Sequence, residues 1–245
     1  MDLPGTHSDA VPDVLATGSG DISTVFVSMA LRHPDGLDAE YLRWHTLDHR
    51  PEQHRLSQVR ASMRLVSTPD CRAARLAADK RFDPVDHVMT YYFSDPAGLD
   101  DFLTLSWALG DAGRKLELLP PAERGVYDVR HKATAARVKV GADVLPWWPV
   151  RGVLLLVERE SRSATDLLEV PGVIGTWSTT ALDAGPKLAS ANPGQHLTYC
   201  FLDDDPVSTT RGLAPLLTER FRTTKPLLAA PFHPVVPHDW HRYLP

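Results

Sequence analysis

Apolar and polar positions alternate cleanly over residues 58–67. Val59, Ala61, Met63 and Leu65 fall on one side, and Arg60, Ser62 and Arg64 on the other. A period of two is that of a half-buried strand. Upstream, residues 24–31 are apolar and β-branched and read as the first strand. His33-Pro34-Asp35-Gly36 is a turn cluster, and Asp38 then opens a helix carrying Tyr41, Leu42, His45 and His49. Pro51 ends or kinks it, because proline lacks an amide proton and clashes with the preceding turn. Residues 71–80 suggest a short Ala-rich helix, and residues 86–94 a third strand. Pro96 opens a second long helix with Leu99, Phe102, Leu103, Leu109 and Leu116 on its apolar side. Residues 125–133 supply a fourth strand.

The pattern then begins again. Residues 152–158 predict a strand, 163–169 a short helix, 172–182 and 195–202 two more strands, 206–221 a helix, and 227–236 a closing strand. A local echo accompanies the order: Thr90-Tyr91-Tyr92-Phe93-Ser94-Asp95-Pro96 resembles the stretch from Thr198 to Pro206, both ending in acids, then a proline, then a helix. The order β-α-β-β-α-β, given twice, predicts an α+β chain of two tandem ferredoxin-like halves. The expected organisation is a loose arm over residues 1–20, a first half over 21–137, a connector over 138–150 containing Pro146-Trp147-Trp148-Pro149, a second half over 151–236, and a tail over 237–245.

Composition narrows the function classes. The chain has 245 residues, 43% hydrophobic and 23% charged, enough for a sizeable core. A net charge of −5 gives no basic stripe for nucleic acid. No apolar run approaches the roughly 20 residues that span a bilayer, and the N-terminus lacks a basic signal-like region, so the expected location is the cytoplasm. Cys71 and Cys200 are far apart and outside any CxxC, which favours free thiols. GxSxG, GxxxxGK[ST] and a strand-following GxGxxG are all absent.

The stretch Glu40-Tyr41-Leu42-Arg43-Trp44-His45-Thr46-Leu47-Asp48-His49-Arg50-Pro51 resembles the first helix of the EthD-type branch of the dimeric α/β-barrel superfamily, which is aromatic-rich and ends in a His-x-Pro step. The resemblance covers about residues 23 to 115. It implies that the two halves pack sheet to sheet as an α/β barrel within one chain, and that the substrate is a small polyketide-like or aromatic molecule. The second half departs from the pattern: its first helix is short and has no histidine, so a histidine-dependent site is expected once, in or beside the first half.

His49 is the expected acid/base residue, since histidine titrates near neutral pH. The competing reading is a histidine that merely caps the helix C-terminus. His45 shares its face and is a candidate substrate-binding group beside it; the pair lacks a convincing third ligand, so no metal is expected. If the uncovered sheet faces meet inside a barrel, Arg60, Ser62, Arg64, Thr90, Tyr92, His196 and Thr198 are the candidate substrate-binding groups of an inward pocket, with Val59, Ala61, Met63 and Leu65 under the helices. No cofactor is required. Haem is the alternative, with His87 or His196 as its ligand, and a structural module is a third reading. The expected partner is a small molecule, with a homo-oligomer compatible with the fold and neither nucleic acid nor membrane.

Overall fold

The computed structural model describes residues 4–6, 21–186 and 188–242, so the expected arm over 1–20 lies largely outside the described residues. The first half contains β1 (Thr24–Ala30), α1 (Asp38–Trp44), a π-helical turn (His45–His49), α2 (Arg50–Gln53), β2 (Val59–Val66), α3 (Pro69–Ala73), β3 (Ala77–Ala78), β4 (His87–Phe93), α4 (Gly98–Asp111) and β5 (Pro121–Thr134). A 3-10 turn (Ala142–Trp147) leads to β6 (Gly152–Glu158), a second 3-10 turn (Thr165–Glu169), β7 (Val173–Ala181), β8 (His196–Leu202), α5 (Pro206–Thr224) and β9 (Pro226–Pro234).

The strands form one antiparallel sheet in the order β2-β4-β1-β5-β7-β8-β6-β9, with β3 on the outer edge of β9. A pairing of β2 with β9 closes it into an eight-stranded barrel. Each half thus contributes a four-stranded run of ferredoxin-like order. This is the expected α+β architecture, an α/β barrel in which two such units join edge to edge and their inner faces meet. Among the described residues no helix is long and apolar enough to cross a membrane.

Both faces of most strands are covered, so the strand residues are buried almost throughout. The inner face carries Val25, Met63, Leu65, Tyr92, Leu155, Trp177, Tyr199, Phe201 and Phe232 in one cluster. Tyr92 meets Trp177 edge to face at 5.6 Å between ring centroids, and Tyr199 stacks on Phe201 at 6.0 Å. The interior is therefore filled by side chains, as small barrels are.

That packing overturns part of the sequence reading. On β2 the apolar residues Ala61, Met63 and Leu65 point into the barrel, while Arg64 lines a cavity on the helix-covered face. Val59 joins the helix-side cluster because the pairing of β2 with β4 shifts register between Val59 and Ala61. Strict alternation marks two faces without saying which is inward; closure of the sheet decides that. The helix predicted over 71–80 stops at Ala73, because residues 76–79 hydrogen-bond along β9 instead. Leu116 lies beyond α4 and is exposed. Cys71 and Cys200 are both free and buried.

Candidate functional site

The first helical stretch, residues 38–53, carries the candidate histidines. In an α-helix, Pro51 would leave one backbone carbonyl without its amide partner and press its ring on the preceding turn. Here a π turn precedes it, in which the Arg50 N–H reaches the His45 carbonyl. Such wide turns are uncommon and recur at functional sites. The turn keeps His45 and His49 on one side, with ring centroids 5.5 Å apart, and Trp44 covers His49 at 5.2 Å.

This face looks across a cavity of about 200 Å³ between the sheet's outer surface and α4. Phe26, Met89 and Tyr91 form its floor; Phe102, Leu103, Ser106 and Trp107 form the α4 wall. Tyr41, Trp44, His45 and His49 close the opposite side, and Arg64 lies at the back. Lys115 and Leu118, from the segment after α4, complete the lining. Arg114 holds that segment by donating to Asp48 at 3.2 Å and Glu52 at 3.1 Å, and Trp44 Nε1–H donates to the Arg114 carbonyl at 2.9 Å.

Both histidines are held neutral near pH 7. His45 is buried, and burial, followed by the nearby charges of Arg64, His49 and Arg50, pulls its pKa well below the usual histidine range. Burial also lowers His49; the Asp48 charge opposes this, while Lys115 and Arg114 add to it. The Tyr91 hydroxyl lies 3.4 Å from His45 Nε2, and His45 Nδ1 has no hydrogen-bond partner among the described residues. Gln53 is fully buried and orients His49: its Nε2 lies 3.4 Å from His49 Nε2 and donates to Ser106 Oγ at 2.8 Å. A neutral imidazole with a fixed ring can accept a proton and return it.

The sequence-derived candidates divide sharply. His49, His45 and Arg64 come together at this cavity. Arg60 lies outside it, 3.6 Å from Asp21, and Ser62 bonds His54 at 2.7 Å on a separate groove behind α2. Thr90 and Tyr92 do face inward, but into the filled barrel, where Thr90 Oγ1 meets the Tyr199 hydroxyl at 3.1 Å. His196 and Thr198 sit on the outer face of the second half, opposite the inward Leu197 and Tyr199; His196 Nδ1 is 3.2 Å from Thr180 Oγ1. The pocket therefore lies outside the barrel, and these six residues do not line it. In the second half the corresponding layer is packed solid by Leu154, Leu156, Cys200, Leu213 and Leu217.

Sequence reasoning missed Trp44, Gln53, Tyr91 and Ser106 as site residues. Gln53 could have been found, since it stands four residues after His49 on the same helical face. Ser106 could not, because only the packing of α4 brings it near.

Neither histidine expected for the haem alternative is placed to serve it. His87 is occupied at both ring nitrogens, 2.7 Å from Asp38 Oδ1 and 3.3 Å from Arg64, and His196 is on the far face. Neither lines the cavity. Among the described residues no group of three or more His, Cys, Asp or Glu side chains is arranged to hold a metal ion.

No protein-family model and no curated protein matches the chain. Its fold is similar to solved structures. One is a provisionally named monooxygenase from Fusobacterium nucleatum subsp. nucleatum, 9% identical, covering 89% of this chain and 94% of that one with a TM-score of 0.51. Another is a provisionally named chlorite dismutase, 11% identical, covering 93% of this chain and 100% of that one with a TM-score of 0.50. At these identities the likeness is one of fold: the dimeric α/β-barrel architecture, here completed within one chain.

Proposed function

We propose that the protein is an EthD-like enzyme that binds a compact polyketide-like or aromatic molecule in the cavity between α4 and the sheet, and moves a proton on it without a cofactor. The observation that carries this reading is a neutral, oriented His49 facing a largely apolar cavity. His49-Arg50-Pro51, the step that resembles EthD-type proteins, is the step that forces the π turn and sets the histidine in the cavity wall.

The chemistry follows from the wall. Tyr41, Trp44, Tyr91 and Phe102 offer ring faces and edges to a planar ligand. At about 200 Å³ the space is below the roughly 300–1,000 Å³ of drug-sized sites, so one or two rings fit. His49 takes a proton from carbon or oxygen of the bound molecule and returns it at the same or a neighbouring atom. Gln53, itself bonded to Ser106, steadies the imidazole at Nε2.

A two-ring ketone with an acidic C–H, 2-tetralone, tests the reading directly. In D₂O the protein is expected to speed deuterium incorporation at C1, followed by NMR, above an equal concentration of imidazole. His49→Ala is expected to lower that rate by about a hundredfold. Exchange no faster than with imidazole, or unchanged in His49→Ala, would remove His49 from the chemistry.

A further inference from the structure

Among the described residues the cavity wall carries Arg64, Lys115 and Arg124 beside the two histidines, and no carboxylate, in a chain whose net charge is −5. Of these cations Arg64 is the unusual one. It is 5% exposed, and among the described residues it has no carboxylate within ion-pair distance. Its Nε has no acceptor among the described residues. Its carbon Cζ sits 5.0 Å over the Tyr41 ring. A guanidinium stays charged in proteins, and burying it without a counter-charge is costly.

A second chain of contacts fixes where that charge points. Asp38 Oδ1 accepts the His33 amide at 3.0 Å and His87 Nε2–H at 2.7 Å. With its proton on Nε2, His87 presents a bare Nδ1, which accepts from Arg64 at 3.3 Å. The carboxylate thus touches the histidine rather than the arginine. Arg64 is held by the neutral His87 ring and by the Tyr41 hydroxyl, with the Asp38 charge acting on it from beyond ion-pair distance, so no carboxylate touches the guanidinium among the described residues.

We propose that Arg64 anchors a carboxylate on the aromatic substrate, with Asp38 and His87 as positioning residues for the guanidinium. The proposal rests on the reading of the cavity given above. A carboxylate matches the planar fork of arginine and is fully ionised at neutral pH. A phenol, ionising near 10, would arrive uncharged and leave the guanidinium uncompensated. The aromatic rings of the wall take the ring system, and the carboxylate lies at the back beside Arg64.

Matched ligands separate the two claims. 2-Naphthoate and 2-naphthamide have nearly the same shape and differ in charge. By isothermal calorimetry at pH 7.5, the wild-type protein is expected to bind the naphthoate at least about tenfold more tightly. In Arg64→Met the ratio of the two affinities is expected to fall to about one, and in Asp38→Asn to fall partway. The ratio is the readout, so a general loosening that weakens both ligands alike does not mimic the effect. Equal binding by the wild type overturns the carboxylate anchor and leaves the aromatic pocket standing. Binding of neither ligand overturns both. A ratio that survives Arg64→Met but collapses in Lys115→Ala or Arg124→Ala overturns the assignment to Arg64, and a ratio unmoved in Asp38→Asn overturns the positioning role.

Discussion

His45 concentrates the electrostatics of the site in one side chain. It is buried, its Nδ1 has no hydrogen-bond partner among the described residues, and Arg64, His49 and Arg50 all oppose its protonation. Its folded pKa therefore lies well below 6.5, the ordinary value it regains on unfolding. Between those two values the unfolded chain binds the proton and the native one does not, so stability rises with pH there and levels off above about 6.5. Acidification through that window is expected to lower the urea midpoint, and His45→Gln to lose less than the wild type between pH 7.5 and 5.5. Glu123, raised by burial despite Gln195 and Arg81, contributes with the opposite sign. The difference between variant and wild type, rather than either slope alone, is then the measurement that isolates His45; equal losses in the two proteins would refute this account. The same depression keeps imidazoles unprotonated at pH values where an exposed histidine is already charged, which suits a base in a cationic wall.

At the scale of elements, the seam between β5 and β7 joins the halves, running from Tyr127 opposite Ala181 to Thr134 opposite Gly175. At its end the chains approach closely. A Cβ on Gly175 would collide with the Leu145 side chain and stand 2.8 Å from the Ala133 carbonyl, which is backbone and cannot swing aside. Gly175→Ala is therefore expected to cost about 1–3 kcal/mol, read as a lower urea midpoint at unchanged m-value; a midpoint at or above the wild type's would mean that the seam yields. The elements were mostly legible beforehand. Alternation and β-branching marked the strands, Pro96 and Asp205-Pro206 marked the openings of α4 and α5, and their order implied two ferredoxin-like units. Two things were illegible for physical reasons. Which side of β2 faces inward depends on how the sheet closes, so Arg64 was singled out with the wrong face attached. Ala77 and Ala78 have helical propensity, yet they pair with β9 because an otherwise open edge needs hydrogen bonds.

Across the whole molecule, the barrel is closed by two unequal joints. The β5–β7 seam is long, whereas β2 and β9 pair only at Leu65 with Pro234 and Val66 with His233, helped by the Val235 amide donating to the Arg64 carbonyl at 2.9 Å. β3 of the first half adds a third pairing, on the outer edge of β9, and the halves also share one interior. Leu155, Trp177, Tyr199, Phe201 and Phe232 from one half pack against Val25, Met63, Leu65 and Tyr92 from the other in a single cluster. Cut apart, each half would present that face to water, a contiguous apolar surface of the kind that drives association. The cavity, by contrast, is lined among the described residues by the first half alone, with the shared core beneath its floor. A fragment of residues 151–242 is thus expected to sediment as a dimer or larger species at micromolar concentration. Co-expressed with residues 21–150, it is expected to form a one-to-one complex that again binds 2-naphthoate. A monomeric fragment with a cooperative thermal transition of its own would show that the second half owns a complete core. The cluster that now spans the barrel would then be a contact between finished domains, and the support of the cavity floor would have to lie in the first half alone.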